Sequence, residues 1–174
     1  MTTSRTRRTP LLIAGGLLAG LLTLTACGST DTDPSAAVGT PTTVTSINGQ
    51  QINLPSPGKP TAVFFFSVGC GECVNGVRSL GVAATSADEA GSEANFLAVD
   101  MDPGESKETI GDFMEYVDAE HVPAAIDQGA TLSRRFGVSA LSTLIVVDAD
   151  GTVTFRATDP DAKTITAELQ KAGA

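Results

Sequence analysis

The sequence predicts an α/β domain in which a central mixed β-sheet is flanked by helices, with an N-terminal β-hairpin and an inserted helical segment. Three observations lead to this prediction: a continuous apolar run of strand length at residues 62–68, apolar residues at helical spacing directly after it, and the same strand-then-helix order again at residues 95–118. With 174 residues, 41% of them hydrophobic and 18% charged, the chain has the size of one globular domain with short appendages.

The first 26 residues have the composition of a secretion signal. A basic start that contains three arginines is followed by the apolar or small residues 11–24. This run is shorter than the roughly 20 residues that span a bilayer, so a retained transmembrane helix is the weaker interpretation. Residues 24–27, Leu-Thr-Ala-Cys, resemble the lipobox of bacterial lipoproteins, which implies that Cys27 is acylated. The alternative is a plain signal peptide followed by an incidental cysteine.

Residues 27–43 are rich in Gly, Ser, Thr, Asp and Pro and predict a flexible tether, after which residues 44–174 form the folded domain. We therefore expect a domain anchored by lipid to the extracytoplasmic face of the cell membrane. The net charge is −9, and removal of the three N-terminal arginines makes the mature chain more acidic still. Nucleic acid is consequently not an expected partner.

The domain is predicted to open with a hairpin, residues 44–47 and 51–54, around the turn dipeptide Asn48-Gly49. The apolar run at residues 62–68 lacks alternation, which is typical of a central strand covered on both faces. A helix is predicted from Cys73, a second buried strand at residues 95–100, and an amphipathic helix that starts near Asp102-Pro103 with the acidic residue as its cap.

The remaining elements are predicted from shorter patterns. Residues 122–126 are expected to be extended, 130–136 to form a short helix, 143–147 a strand, 148–151 a turn, 152–157 a strand paired with the preceding one, and 162–172 a final helix. No second domain is needed to account for the chain.

Once Cys27 is assigned to the lipid, Cys70 and Cys73 remain as a Cys-x-x-Cys pair. Half of a zinc site, an inert structural disulfide and a pair of buried thiols are the alternatives to redox chemistry. A tetrahedral zinc site needs four ligands, and only His121, to which no role is assigned, remains as a further donor of that kind. The pair follows a buried strand and opens a helix, so we predict a Cys70–Cys73 redox disulfide that needs no cofactor and no resident metal.

The start of a helix favours an anion, so Cys70 is predicted to be the nucleophilic thiolate. Cys73 lies one helical turn further and is predicted to resolve the mixed disulfide formed on Cys70. Two interpretations of Glu72 stay open: its carboxylate raises the pKa of the cysteine, or it is a solvated residue at the helix start. The strand before Cys70 contains no acid, which leaves Glu72 as the only nearby candidate for proton transfer.

Residues 44–172 resemble the thioredoxin superfamily, and more closely its TlpA-like and ResA-like exported thiol–disulfide oxidoreductases. The resemblance rests on the Cys70-Gly71-Glu72-Cys73 motif, the hairpin turn, the extra helix around residues 106–118 and the strand–turn–strand at residues 144–153. It implies a thioredoxin-like fold and a substrate-binding segment at Leu141, Ser142 and Thr143. The family's cis-proline falls on Ser142, where a trans or strained backbone is expected because a cis bond before a residue other than proline costs about 3 kcal/mol.

The resemblance further implies exported proteins with disulfides as substrates, among them apocytochromes c, and recharging by a membrane thiol transporter of the CcdA type. A reductant is the favoured direction. The alternative function is a non-catalytic metallochaperone or redox-sensitive binding module of the same fold that holds a soft metal on Cys70 and Cys73.

Overall fold

The computed structural model describes residues 41–174, so the predicted signal segment, Cys27 and most of the predicted tether lie outside the described residues. The described part opens with the predicted hairpin, in which β1 (Thr42–Thr45) pairs antiparallel with β2 (Gln51–Leu54). Gly49 has φ 83° in the turn, a conformation that glycine adopts without strain. The first strand begins two residues before the predicted domain boundary at residue 44.

The main sheet has five strands in the order β5-β4-β3-β6-β7. Strands β3 (Thr61–Phe66), β4 (Asn95–Asp100) and β5 (Ala124–Ile126) are parallel, whereas β6 (Thr143–Val147) and β7 (Val153–Thr158) continue the sheet in antiparallel fashion. The helices are α1 (Cys73–Glu89), α2 (Lys107–Tyr116), α3 (Thr131–Phe136), which follows a 3-10 turn at Gln128–Ala130, and α4 (Ala162–Lys171). The predicted mixed sheet, inserted helix and element order are confirmed.

The sheet has an apolar layer of buried side chains on each of its two faces. One face packs against α1, α2 and α4 and contains Phe64 and Phe66, while the other packs against the hairpin and α3 and contains Val63 and Phe65. Every residue of β3 is buried, which explains why its sequence lacks alternation. Strand β3 is therefore the centre of the fold, and the loop that leaves its carboxyl end carries the cysteine pair.

The start of α2 differs from the prediction. Its N-cap is Ser106, whose hydroxyl accepts the Thr109 amide at 3.0 Å, so the helix begins four residues after Pro103. Asp102 instead accepts the Gly104 amide at 2.8 Å in the preceding turn. An aspartate followed by proline suits either a helix cap or a turn, and the position of the buried Ile110 and Phe113 favours the later start.

The last elements agree with their predicted positions to within two residues. Strands β4 and β6 have the predicted bounds, β7 is displaced by one residue, and α4 ends one residue earlier than expected. Among residues 41–174 no helix is long and apolar enough to cross a membrane.

Candidate active site

The two cysteines lie at the junction between β3 and α1. Cys70 and Cys73 form a disulfide with their Cα atoms 5.3 Å apart, and Cys73 is the first residue of the 17-residue helix α1. Cys73 is fully buried in the apolar layer beneath α1, whereas Cys70 is only half-buried. An incoming sulfur therefore reaches Cys70 more readily, which is the order predicted for nucleophile and resolving thiol.

Backbone amides hold the loop around Cys70. The Cys70 amide donates to the Ser67 carbonyl at 3.0 Å, and the Cys73 amide lies 3.3 Å from Cys70 Sγ. Because an amide donor at a helix start favours negative charge, this contact stabilises a Cys70 thiolate after reduction. This geometry is compatible with Cys70 as the nucleophile and Cys73 as the resolving thiol, and both roles stay predictions.

Ser142 faces the cysteine pair from the loop before β6. Its hydroxyl donates to Cys73 Sγ at 3.3 Å, and the residue is 3% exposed. Ser142 has φ 57°, and no cis peptide bond precedes it, since the cis bond described in residues 41–174 is Leu54-Pro55. The backbone is thus trans, in the left-handed region that favours glycine and asparagine. Of the two expected alternatives, a trans bond is the one found, and the positive φ is a further feature of this residue.

The neighbours of Ser142 form the rim of the site. Leu141 is 38% exposed, one of the few large apolar side chains of residues 41–174 that reach solvent, while Thr143 is buried and donates its hydroxyl to the Ala140 carbonyl at 2.8 Å. The Ser142 carbonyl accepts the Asp159 amide at 3.0 Å, which ties this loop to the end of β7. An exposed apolar side chain beside a disulfide is suited to contact the backbone or side chains of a substrate, and the substrate-binding role of this segment stays a prediction.

Glu72 lies between the two cysteines in sequence and is exposed to solvent. It stands at the N-cap position of α1 with helical dihedral angles, and its side chain makes no capping hydrogen bond. The interpretation of Glu72 as a solvated residue of the helix start fits this geometry, and its proposed effect on the cysteine pKa stays a prediction.

The structure brings two acids to the site that the sequence analysis missed. Asp100 ends β4 directly beside Phe66, the end of β3, and is fully buried. Glu105 accepts the Val68 amide at 3.2 Å and the Ser67 hydroxyl at 3.4 Å, both in the loop that leads to Cys70. Glu72 is therefore not the only nearby acid, and the prediction that it was is wrong. A carboxylate closing an otherwise buried strand was the signal in the sequence that could have indicated Asp100.

Burial, followed by the hydrogen bond with Glu105, raises the pKa of Asp100 to about 7. The carboxylates of Glu105 and Asp102 add to this rise by repulsion, while the Asp102 amide, 2.9 Å from Asp100 Oδ1, opposes it. The group therefore titrates near neutral pH, close to the cysteine loop.

His121 lies away from the cysteines. Its Nε2 is 3.0 Å from the Gly81 carbonyl and 3.3 Å from the Thr85 hydroxyl, both on α1 beyond the second turn from Cys73. In the part of the chain that the structure describes, no three His, Cys, Asp or Glu residues gather into a metal-binding group.

A disulfide at the start of a helix, with one sulfur reachable and the other buried, at the carboxyl end of the central strand of a five-stranded mixed sheet, defines a thioredoxin-fold thiol–disulfide oxidoreductase. The family model described as Redoxin matches residues 34–173, and the chain belongs to this family.

Solved structures share the fold at low sequence identity. StoA from Bacillus subtilis is 17% identical with a TM-score of 0.66, over 76% of this chain and 98% of that one. The thioredoxin domain of a thiol-disulfide oxidoreductase from Bacteroides vulgatus is 18% identical with a TM-score of 0.63, over 78% of this chain and 97% of that one. At these identities the likeness shows the fold alone, and it confirms the thioredoxin-like architecture.

One relative found by sequence comparison has a much higher sequence identity to this chain. The protein named "Mercury resistance operon ORF3" from Streptomyces lividans is 55% identical over 140 residues, which are 80% of this chain and 74% of the relative. This identity is far above that of the solved structures.

Proposed function

We propose that this chain is a lipid-anchored reductant on the extracytoplasmic face of the cell membrane, where it exchanges disulfides with exported proteins. The observation that carries the proposal is the asymmetry of the cysteine pair, because a half-buried Cys70 and a fully buried Cys73 suit attack followed by resolution. The lipobox-like residues 24–27 and the basic start support the anchor on Cys27.

The exchange has two steps. The Cys70 thiolate attacks a substrate disulfide, which forms a mixed disulfide and releases one substrate thiolate that takes up a proton. The Cys73 thiol then loses its proton and attacks the Cys70 sulfur, so that the Cys70–Cys73 disulfide forms and the second substrate thiol leaves. A membrane thiol transporter of the CcdA type would return two electrons and two protons, and apocytochrome c cysteines are among the substrates we propose.

The test is to trap the intermediate in the full chain. With Cys73→Ser we expect a mixed disulfide between Cys70 and a peptide that contains a disulfide, resolved only by added thiol and identified by mass. Cys70→Ser is the matched control and forms no such adduct at residue 73, because that position is buried. If neither variant accumulates an adduct with any disulfide peptide, the exchange mechanism is wrong.

The direction and the anchor need separate measurements. Equilibration in graded glutathione buffers gives the potential of the pair, and a value near or below the roughly −270 mV of thioredoxin supports a reductant, whereas one near −120 mV makes the protein an oxidant. Metabolic labelling with a fatty acid tests the anchor: label that persists in Cys27→Ser contradicts acylation at that residue.

A second candidate function is favoured by the name of the 55%-identical relative, which refers to a mercury resistance operon. We propose as the alternative that the reduced pair holds Hg(II) as its substrate, with the ion bound to both sulfurs and the two thiol protons released. Two thiolates without further ligands suit a soft ion that accepts two-coordinate binding better than zinc, which needs four ligands. The short Cys70–Cys73 separation of 5.3 Å between Cα atoms permits both sulfurs to contact one ion.

Mercury binding and disulfide exchange are distinguishable. We expect the reduced full chain to bind one Hg(II) at the pair, measured by mass after treatment with a competing thiol, and both Cys70→Ser and Cys73→Ser to lose it to the competitor. Equal retention by wild type and both variants would exclude the pair as the site. A protein that binds Hg(II) but forms no mixed disulfide in the trapping experiment is a metal carrier, not a reductant.

A further inference from the structure

Asp100 is a buried acid that the exchange steps above do not use. It is fully buried at the end of β4, and its Oδ1 accepts the Asp102 amide at 2.9 Å. No amide or hydroxyl donor among the described residues reaches its other oxygen, Oδ2. A buried carboxylate oxygen without a hydrogen-bond donor costs free energy, so Asp100 Oδ2 requires a proton donor at this position.

Glu105 is the side chain that faces Asp100. The Glu105 carboxyl lies close enough to Asp100 to raise the pKa of that acid through a hydrogen bond between the two groups. Two carboxylates only accept, so this bond exists when one of the two groups carries a proton. A single shared proton supplies the donor that Asp100 lacks and removes the repulsion between two neighbouring negative charges.

Glu105 connects this acid pair to the cysteine loop. Its Oε2 accepts the Val68 amide and its Oε1 the Ser67 hydroxyl, while the Ser67 carbonyl accepts the Cys70 amide at 3.0 Å. Val68 and Cys70 are two residues apart, so their Cα atoms are at most about 7 Å from each other. The position of the nucleophile therefore depends on the residue that holds Ser67 and Val68.

We propose that Asp100 and Glu105 form an acid pair with one shared proton, which fixes residues 67–69 and makes the reactivity of Cys70 depend on pH. The pair acts through the loop and its charge and touches no sulfur in the described structure, so both acids are positioning residues. This control of Cys70 reactivity is the same whichever substrate the cysteine meets.

The electrostatic surroundings support titration in the neutral range. The charged groups that act on Asp100 are Glu105 and Asp102, both acidic. Across the sheet edge, Asp127 donates its amide to the Asp100 carbonyl at 2.8 Å but directs its carboxylate to the Leu132 and Ser133 amides. With no cation among these groups, loss of the shared proton leaves two adjacent negative charges near Cys70, which disfavours its thiolate.

The test is the pH dependence of Cys70 alkylation by iodoacetamide in the reduced full chain, followed by mass at that cysteine. For the wild type we expect two ionisations, that of the thiol and that of the acid pair near neutral pH. Once the acid pair has ionised, the alkylation rate of Cys70 should be lower, on the order of fivefold, than the rate extrapolated from low pH. Asp100→Asn and Glu105→Gln are expected to show the thiol ionisation alone. Glu108→Gln, an exposed acid in the first turn of α2, is the matched control and keeps the wild-type profile.

Two results would overturn the proposal: a wild-type profile that fits one ionisation, or an inflection that persists in both variants of the pair. A measurement on the wild type alone guards against misfolding of the variants. Infrared difference spectra between acid and alkaline solution must show the carbonyl stretch of a protonated buried carboxyl group that disappears near neutral pH. If every carboxyl group has lost its proton by mildly acidic pH, the shared proton does not exist.

Discussion

Replacement of Gly76 by alanine should destabilise the domain, although alanine is the better helix former. Gly76 lies on α1 one turn after Cys73, and a Cβ atom there would be 2.1 Å from Cζ and 2.6 Å from Cε2 of Phe64 and 3.0 Å from a carboxylate oxygen of Asp159. Carbon atoms in contact normally lie about 3.5–4.0 Å apart. The Phe64 ring, which is fully buried in β3, would have to move by more than about 1 Å.

The magnitude follows from two opposing effects. Overpacking a well-filled core costs about 1–3 kcal/mol, and this site belongs at the upper end because the displaced group is an enclosed ring. The change from glycine to alanine inside a helix returns about 1 kcal/mol. We therefore expect Gly76→Ala to lower the free energy of unfolding by about 2 kcal/mol.

Gly111 provides the matched control because it lies inside α2 in open space, with nothing within 4 Å of the position that a Cβ atom would take. Gly111→Ala should raise the free energy of unfolding by about 0.5–1 kcal/mol through helix propensity alone. Urea unfolding of both oxidised variants, followed by circular dichroism, measures the difference, which should move the two midpoints in opposite directions. If Gly76→Ala is as stable as the wild type, the close approach of α1 to β3 is wrong.

Three further predictions concern the site and its supports. Asp127→Ala should cost about 2–3 kcal/mol in urea unfolding, because the buried carboxylate accepts two amides at the start of α3, at 2.7 and 2.9 Å. The pKa of Asp100 is raised from 3.8 to about 7 in the fold. The free energy of unfolding should therefore fall as pH rises from about 4 to about 7, by at most about 4 kcal/mol. Asp100→Asn should abolish this fall when unfolding is measured across the same pH range. Ser142→Ala should make the potential of the pair more negative by about 30 mV in glutathione titrations, since it removes a donor to Cys73, whereas Thr143→Val should leave the potential unchanged.

The fold could be predicted from the sequence because each main element has a strong local pattern. Residues 62–66 of β3 are all apolar and show no alternation with polar residues, and the position of this run before a Cys-x-x-Cys motif fixes the strand–helix junction. The start of α2 was predicted four residues early because the local chemistry of Asp102-Pro103 fits a turn as well as a cap. Packing of the helix, which no local pattern contains, decides between the two.

The site could be predicted only in its covalent part. Cys70 and Cys73 are three residues apart in sequence and their pairing follows from this spacing, whereas Ser142 was located by resemblance. The left-handed backbone of Ser142 and its hydrogen bond to Cys73 have no signal in the sequence, because serine is not a residue that this conformation favours. Asp100 and Glu105 were missed because the contacts of Glu105 with Ser67 and Val68, and the enclosure of Asp100 beside it, arise only when β4 and the following loop pack beside β3.

Hydrogen-bond donors at the two sulfurs stabilise the thiolates of Cys70 and Cys73, whereas the acidic groups nearby destabilise them. The Cys73 amide and the Ser142 hydroxyl donate toward Cys70 and Cys73 and stabilise their thiolates, which favours the reduced pair and makes a protein more oxidising. The acid pair of Asp100 and Glu105 opposes this when it loses its proton, because additional negative charge disfavours a thiolate. The potential of the pair therefore depends on two sulfur contacts, both 3.3 Å long, and on a carboxyl pair whose charge changes with pH. It follows that the pair should become more reducing as the acid pair ionises, beyond the change that the thiols themselves produce.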